Sequence, residues 1–205
     1  MAIRTVVFDI GNVVLQWDPR FLYRKLFTDD AEMERFLSDV CSMAWHVRHD
    51  AGAGFEENAE PLKAEFPEHR DLIESWGARY LEMTPGEVAG TSALIHALKG
   101  NGVSLHGLTN MPSSIYPLLL EAYPVLGAFE HTVVSGDEKA IKPGAQIFEI
   151  LIARAGLEPA STLFIDDSLH NIEAAQALGM RGHHFLNAEG LKAELVDLGL
   201  LRGEP

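Results

Sequence analysis

The chain has 205 residues, of which 47% are hydrophobic, so it is long enough to bury a sizeable core. Its 16 basic and 30 acidic residues give a net charge of -14, which argues against nucleic acids and acidic membranes as partners. The single cysteine, Cys41, excludes an internal disulfide and is typical of a reducing compartment. The first predicted strand begins within a few residues of Met1, so we expect no signal peptide, and no apolar stretch of the sequence approaches membrane-spanning length. We therefore expect a cytoplasmic protein, either a monomer or a homodimer.

The first predicted element is a buried strand that ends in an acid. Residues 5–9 read Thr-Val-Val-Phe-Asp, an unbroken apolar run that is typical of strands covered on both faces, as in parallel sheets. An acid at the last position of such a strand lies at the carboxyl edge of the sheet, where open α/β folds place their sites. Asp9 is therefore a candidate functional residue.

A long helical segment follows this strand. Asp9 and Thr109 are 100 residues apart (109 − 9), whereas a strand-helix-strand unit needs about thirty residues, so roughly seventy residues are inserted. Residues 17–84 are predicted to form a helical cap domain, and residues 1–16 and 85–205 an α/β core domain. The predicted cap helices are Phe21–Phe27, Ala31–Val47, Phe55–Glu65 and Arg70–Leu81.

The next elements return the chain to the predicted core. Helix Glu87–Lys99 is followed by Gly100, a residue type favoured just past a helix end. Residues 103–110 then form a predicted strand that ends in Thr109 and Asn110. This strand places a hydroxyl and an amide at the edge of the sheet.

A further strand, a lysine and a helix come next. Residues 131–137 are predicted to form a strand and residues 144–155 a helix. Between them Lys142 precedes Pro143, whose fixed φ suits the first helical position. We therefore expect Lys142 at the point where the loop enters the helix.

The fourth strand nearly repeats the first. Residues 162–166 read Thr-Leu-Phe-Ile-Asp and continue into Asp167. Neighbouring parallel strands lie about 4.8 Å apart. If these two strands are adjacent, Asp9 and Asp166 can share one cation at the distance of roughly 2.0–2.1 Å that magnesium prefers. The last predicted elements are a helix capped by Asp167 or Ser168, a strand and a closing helix, at Leu169–Leu178, His183–Leu186 and Gly190–Leu198.

The ordered set of junction residues resembles a known superfamily. An aspartate, a Thr-Asn pair, a Lys-Pro pair and an Asp-Asp pair, in that order between Val6 and Asp167, are similar to the four motifs of the haloacid dehalogenase superfamily. The resemblance implies an α/β fold, with a Rossmann-like parallel sheet of about five strands and a helical cap inserted after the first strand. It also implies a phosphorylated small molecule as substrate and Mg²⁺ as cofactor.

The resemblance implies a role for each motif. Asp9 would attack phosphorus and form an aspartyl-phosphate intermediate. A carboxylate can do so only when the electrophile is held in line and its charge is neutralised. Thr109 and Asn110 would hydrogen-bond the transferring oxygens, and Lys142 would offset their negative charge.

The same resemblance implies a metal site. The ligands would be Asp9, Asp166 and Asp167, with the backbone carbonyl of Gly11. This all-oxygen set is of the kind that magnesium prefers. The superfamily's 2-haloacid dehalogenases are metal-free and lack a paired Asp-Asp, so the acidic pair favours a phosphatase over that alternative.

The sequence departs from the superfamily at one position. Its phosphatases usually read Asp-x-Asp, and the second aspartate protonates the leaving oxygen, but here the residue is Gly11. Four explanations stay open: another group replaces it, such as Asn12 through a water; the leaving group needs little protonation; the reaction is dehalogenation; or the protein is a non-catalytic phosphate-binding module. The Asp-x-Gly-Asn motif resembles that of a subgroup of sugar-phosphate phosphatases, which favours a magnesium-dependent phosphomonoesterase. A structural alternative is that Gly11 and Asn12 only shape the turn, since both residue types tolerate positive φ.

Candidate substrate contacts lie near the end of the second predicted cap helix. Trp45, His46, Arg48 and His49 cluster just before a glycine-rich segment that would direct them at the site. The alternative is that Trp45 belongs to the core of the cap and that the histidines are surface or satisfied core groups. Trp17, just after the first motif, either lines the entrance or fixes the hinge of the cap.

Overall fold

A computed structural model describes residues 2–202 and shows a five-stranded sheet in which all neighbouring strands are parallel. The predicted α/β fold with about five parallel strands is confirmed. Residue 1 and residues 203–205, which the sequence assigns to the core domain, lie outside the described part. The strand order is β3-β2-β1-β4-β5, with β1 at Thr5–Phe8, β2 at Ser104–Thr109, β3 at His131–Val134, β4 at Thr162–Asp166 and β5 at Arg181–His184.

Helices connect these strands and cover both faces of the sheet. Short 3₁₀ turns lie at Pro67–His69, Tyr80–Met83, Pro124–Ala128 and Pro159–Ser161. The α-helices are α1 (Arg20–Tyr23), α2 (Asp30–Asp39), α3 (Met43–Asp50), α4 (Phe55–Glu65), α5 (Arg70–Ala78), α6 (Thr91–Gly100), α7 (Tyr116–Ala122), α8 (Ser135–Glu138), α9 (Ala145–Ala155), α10 (Leu169–Ala177) and α11 (Ala188–Asp197).

The central position of β1 sets the location of the first motif. Strand β1 pairs with β2 on one side and with β4 on the other, and Val6 is level with both Leu105 and Leu163. The N–H of Asp9 donates a hydrogen bond of 2.9 Å to the carbonyl of Ile165. The two nearly repeated segments are thus neighbours in the sheet, and their terminal aspartates lie side by side.

The apolar runs of β1 and β4 are buried on both faces. Val6 and Phe8 belong to the same hydrophobic cluster as side chains of α6 and α11, whereas Val7 clusters with side chains of α9 and α10. Alternate residues of a strand point to opposite faces. A sheet covered on both sides therefore requires the uninterrupted apolar sequence that these strands have.

The inserted helices α1–α5 pack around a core of aromatic rings. Trp76 lies 5.9 Å from Tyr23 and 5.4 Å from Trp45 between ring centroids, and Tyr23 lies 5.0 Å from Phe36. These rings belong to the same cluster of buried side chains as Phe8 of β1. The assignment of residues 17–84 to a separate cap domain stays a prediction. Across residues 2–202, no helix combines the length and the apolar character needed to cross a membrane.

The predicted single helix over Ala31–Val47 is wrong, because the chain forms α2 and α3 instead. Val40 leaves helical geometry with φ -110° and ψ -80°. Ser42 then caps α3, its Oγ accepting a hydrogen bond of 3.3 Å from the N–H of Trp45. Serine is favoured at this capping position because its oxygen satisfies a free N–H of the first turn.

Several predicted boundaries also shift by a few residues. Helix α6 begins at Thr91 rather than residue 87 because Gly90 adopts a φ of 87°. Strand β3 ends at Val134, where the helical turn α8 begins. Helix α9 begins at Ala145 with Gly144 as its N-cap, so Pro143 is not in the first turn and Lys142 lies in the preceding loop. The C-terminal elements are displaced in the same way, with β5 at Arg181–His184 and α11 at Ala188–Asp197.

Candidate active site

A buried ion-pair triad lies at the carboxyl edge of the sheet. The Nζ of Lys142 is 2.9 Å from Oδ1 of Asp9 and 2.7 Å from Oδ2 of Asp166. All three side chains are almost fully buried. The lysine reaches the edge from the loop between α8 and α9, so it bridges the ends of the two neighbouring strands.

Burial dominates the electrostatics of this triad. It raises the pKa of Asp9 to about 7, against the opposing effect of Lys142, and Asp166 and Asp167 raise it further. Burial alone would lower the pKa of Lys142, but Asp9 and Asp166 hold that pKa above its usual value. Lys142 is therefore a permanent cation at neutral pH, and one positive charge faces more than one carboxylate.

Asp166 is held by hydrogen bonds from the start of α10. Its Oδ1 accepts from the N–H of Ser168 at 2.8 Å, and the side-chain amide of Asn171 donates to both carboxylate oxygens at 2.9 and 3.1 Å. Ser168 occupies the N-cap position of α10 without a side-chain cap bond. Of the two predicted caps, the residue in position is therefore Ser168 and not Asp167.

Three carboxylates converge on one point. Oxygens of Asp9, Asp166 and Asp167 all lie within 4.8 Å of one another. Asp167 is the exposed member of the group, whereas the other two are buried. A divalent cation bound between these oxygens would have hard oxygen ligands on the protein side and access to solvent on the other.

The Thr-Asn pair ends β2 beside this group. Thr109 is buried and lines the same cavity as Asp9. The side chain of Asn110 pairs with the backbone of Lys142, accepting from its N–H at 2.9 Å and donating to its carbonyl at 3.1 Å. In this structure the Asn110 amide therefore fixes the loop that carries the lysine.

The turn after β1 is shaped by Asn12 rather than by Gly11. Asn12 adopts a φ of 56°, its N–H donates to the carbonyl of Leu15 at 2.7 Å, and its Oδ1 accepts from the N–H of Trp17 at 2.9 Å. This geometry favours the structural explanation for Asn12. Gly11 does not have a positive φ, and a Cβ built on it meets no atom within 4 Å.

A cavity of about 150 Å³ joins the sheet edge to the inserted helices. Asp9 and Lys142 form its floor, and Trp17 and Tyr80 belong to its wall. Trp17 stacks on His46 with 5.0 Å between ring centroids and 20° between ring planes. Trp17 thus lines the cavity, as one of its two predicted roles requires.

Three residues of α3 line this cavity, and two of them are buried and titratable. His46 and Asp50, four residues apart on one helix face, both line it, and both are buried. Burial lowers the pKa of His46 to about 3, with a further contribution from His49, so the imidazole is neutral. Burial raises the pKa of Asp50 to about 7, against the opposing charge of Lys142.

The other predicted cap contacts lie elsewhere, which corrects the expectation. Trp45 and His49 do not line the cavity and instead pack on α4, where Trp45 Nε1 donates to the carbonyl of Asn58 at 3.1 Å. The ring of His49 hydrogen-bonds the Asn58 side chain at 2.9 Å. Arg48 faces solvent. Because the segment is a helix and not a loop, only every third or fourth residue can face the cavity.

Sequence reasoning missed two residues of the site. Asn171 stands five positions after Asp166, in the first turn of the helix that follows the acidic pair. Because this spacing places Asn171 near the end of the preceding strand, it could have indicated Asn171 as a partner of Asp166. Asp50 carried no such signal, because its place in the same cavity as Asp9 depends on the packing of α3 against the sheet edge.

Comparison with known proteins agrees with this geometry. A family model described as haloacid dehalogenase-like hydrolase matches residues 3–179. A sesquiterpene phosphatase of Aspergillus oryzae is 33% identical over 198 residues, which cover 95% of this chain and 96% of that protein. Phosphoglycolate phosphatase 1 of Pseudomonas aeruginosa is 30% identical over 143 residues, which cover 68% of this chain and 48% of that protein.

Solved structures share the fold. A hydrolase of this type from Porphyromonas gingivalis superposes with a TM-score of 0.75 at 22% identity, covering 100% of both chains. An enzyme from Bacteroides thetaiotaomicron, solved as a magnesium complex, superposes with a TM-score of 0.68 at 22% identity, covering 92% of this chain and 95% of that one. Since the family model spans most of the sequence and the Aspergillus phosphatase nearly all of it, the chain belongs to the haloacid dehalogenase-like hydrolases.

Proposed function

We propose that this hydrolase is a magnesium-dependent phosphomonoesterase that acts on a small phosphorylated metabolite through an aspartyl-phosphate on Asp9. The observation that carries the proposal is the triad of Asp9, Lys142 and Asp166 on the floor of the cavity. A buried carboxylate beside a buried cation can approach a phosphoryl group whose charge is neutralised at the same place.

The donor set supports magnesium. Oxygens of three carboxylates lie within 4.8 Å of one another, and within residues 2–202 no other group of His, Cys, Asp or Glu side chains converges in this way. Burial, and then repulsion from Asp166 and Asp167, raise the pKa of Asp9 against the single positive charge of Lys142. A divalent cation would relieve that repulsion. Asp9, Asp166, Asp167 and the Gly11 carbonyl would hold the ion, which would neutralise the oxygens of the phosphoryl group.

The residues of the chain then have distinct tasks. A carboxylate oxygen of Asp9 attacks phosphorus, while Lys142 offsets the charge of the transferring group and keeps Asp9 oriented. Asn171 and Ser168 fix Asp166 through its two carboxylate oxygens. Asn110 fixes the backbone on both sides of Lys142. Catalysis in this scheme rests on positioning and electrostatics, as expected for phosphoryl transfer.

Two substrate classes have support. The Asp-x-Gly-Asn motif favours a sugar phosphate. The cavity wall favours the monoester of an apolar alcohol, because Trp17, Met43, Tyr80, Leu15 and Leu119 line it. The relative from Aspergillus oryzae is named a sesquiterpene phosphatase, which agrees with the second class.

The test is release of inorganic phosphate from hexose phosphates, phosphoglycolate, prenyl phosphates and simple alkyl phosphates, each with Mg²⁺ or with excess EDTA. We expect turnover only with Mg²⁺, and prenyl or alkyl esters ahead of sugar phosphates. Halide release from 2-haloacids in EDTA would instead establish the metal-independent dehalogenase. Phosphate binding without turnover of any ester would establish the binding module.

A further inference from the structure

Position 11 lacks a group that could protonate a leaving oxygen. Gly11 has no side chain, and the imidazole of His46, with a pKa lowered by burial to about 3, is a poor proton donor at neutral pH. The Asn12 oxygen is already bonded to the N–H of Trp17. A proton for an alkoxide leaving group would therefore come from another residue of the cavity.

Asp50 is a carboxyl group without a structural task for its side chain. It is 6% exposed, and its Oδ1 has no hydrogen-bond partner within residues 2–202. The nearest basic atom, Nε2 of His46, is 3.5 Å away and belongs to a neutral ring. A buried carboxyl that served only stability would be paired or hydrogen-bonded.

The backbone of Asp50 is anchored to the catalytic edge of the sheet. The Ser135 hydroxyl donates to the Asp50 carbonyl at 2.6 Å and accepts from the N–H of Met111 at 2.9 Å. Met111 follows Asn110 directly and lines the same cavity as Asp50 and Asp9. This anchor holds the end of α3 against the loop after β2.

We propose that Asp50, supplied by the inserted helices, is the general acid and base that replaces the aspartate absent at Gly11. This inference rests on the proposed phosphatase function and deepens it. The catalytic pair would then be divided between two parts of the fold. Asp9 would come from the sheet and Asp50 from α3.

Each proton has a defined place in this scheme. In the first step a bond forms between Asp9 and phosphorus, the ester P–O bond breaks, and the Asp50 carboxyl gives its proton to the departing oxygen, which leaves as a neutral alcohol. In the second step the Asp50 carboxylate takes a proton from the water that attacks phosphorus. The bond between Asp9 and phosphorus then breaks, which releases inorganic phosphate and restores both side chains.

The electrostatic environment suits both steps. The charged and titratable groups around Asp50 are Lys142, His46 and Tyr80. Burial raises the pKa of Asp50 to about 7 despite Lys142. A group that titrates near neutral pH can act as an acid in one half-reaction and as a base in the other.

The test uses Asp50→Asn, which is nearly isosteric, with Asp71→Asn as the control from an exposed position of α5. For both variants and the wild type, kcat/KM is measured with Mg²⁺ on aryl phosphates such as 4-nitrophenyl phosphate and on alkyl phosphates such as propyl phosphate. An acidic aryl leaving group needs no proton, whereas an alkoxide does. We expect Asp50→Asn to lower kcat/KM for alkyl esters by about 10²–10⁴-fold and for aryl esters only slightly.

A second readout follows the phosphoenzyme. Aryl esters keep a fast first step and all form the same aspartyl-phosphate, so in Asp50→Asn their kcat should fall to one common level, with an initial burst of phenol release. Gly11→Asp adds a side chain where a Cβ meets no atom within 4 Å. In the Asp50→Asn background we expect Gly11→Asp to raise the ratio of kcat/KM for alkyl esters to kcat/KM for aryl esters.

The inference is overturned if Asp50→Asn keeps the wild-type dependence on leaving-group acidity. It is also overturned if kcat/KM falls equally for aryl and alkyl esters together with a lower melting temperature, which is the result of a structural role. A wild-type protein that releases no phosphate even from 4-nitrophenyl phosphate would overturn the proposed function itself. The two failures are therefore distinguishable.

Discussion

The Ser135 hydroxyl donates a hydrogen bond of 2.6 Å to the backbone carbonyl of Asp50, which stands 85 residues earlier in the chain. The same oxygen accepts a hydrogen bond of 2.9 Å from the N–H of Met111. One buried hydroxyl thus ties the inserted helices to the loop that carries the Thr-Asn motif. We expect the position of α3 over the site to depend on this contact.

Ser135→Ala should loosen that connection. The variant leaves the N–H of Met111 and the carbonyl of Asp50 without their partner, and an unsatisfied buried polar group costs about 1–3 kcal/mol. We expect a loss of that size in urea unfolding and a lower kcat. Ser38→Ala, which removes an exposed hydroxyl bonded to Asp39, should change stability by less than about 0.5 kcal/mol. Equal effects of the two variants would contradict the anchoring role.

Asp9→Asn should abolish turnover while the protein stays folded. The amide cannot attack phosphorus and is a weaker metal ligand, whereas Lys142 keeps its contact with Asp166 at 2.7 Å. Phosphate release with Mg²⁺ and the thermal unfolding midpoint would be measured together. Activity above a few per cent of wild type in a pure variant would remove Asp9 from the nucleophile role.

Lys142→Met should destabilise the metal-free protein. Removing one partner of a buried ion pair costs about 3–5 kcal/mol, because the remaining charges are left uncompensated. The cost should be smaller at pH 5 than at pH 8. Without Lys142 the already raised pKa of Asp9 rises further, so the carboxyl is neutral at the lower pH. Urea unfolding in EDTA at both pH values measures this difference.

Lys25→Met provides the matched control. Lys25 forms an exposed ion pair with Glu82 at 2.8 Å, and such pairs contribute less than about 1 kcal/mol. We expect a small change in the free energy of unfolding that is the same at both pH values. A loss at Lys142 no larger than the loss at Lys25 would contradict the burial argument.

His46→Phe should reduce the sensitivity of the fold to acid. Burial lowers the pKa of His46 from its ordinary value of 6.5, which the unfolded chain keeps, to about 3 in the folded protein. The unfolded chain therefore takes up a proton first as the pH falls. The contribution of the neutral, buried His46 to the free energy of unfolding is fully present above pH 6.5. It is lost at about 1.4 kcal/mol per pH unit as the pH falls toward 3.

Phenylalanine keeps the ring that stacks on Trp17 but does not titrate. The free energy of unfolding of each protein is measured at pH 7 and pH 5. Asp50 is present in both proteins, so its opposing effect cancels in the difference between wild type and variant. That carboxyl has a raised pKa of about 7 in the folded state, so it adds stability as the pH falls below 7. The variant should lose less stability than the wild type over this range, and parallel curves would show that His46 is not buried as a neutral ring.

Local sequence patterns predicted much of the fold and of the candidate site. The apolar runs before Asp9 and Asp166 predicted parallel strands, because only a sheet covered on both faces needs such runs. The strand pairing then brought the two aspartates together, as their matching sequences indicated. Lys142 reached the same point, although Pro143 does not open the helix as expected.

The tertiary structure alone decided which residues of the insertion face the site. The break at Val40–Ser42 turns α3 so that His46 and Asp50 line the cavity while Trp45 and His49 pack on α4. Helix period places residues on faces, but it does not tell which face meets the sheet edge. That choice depends on the Ser135 anchor and on the aromatic packing around Trp76, contacts between residues distant in the chain, which no local pattern contains.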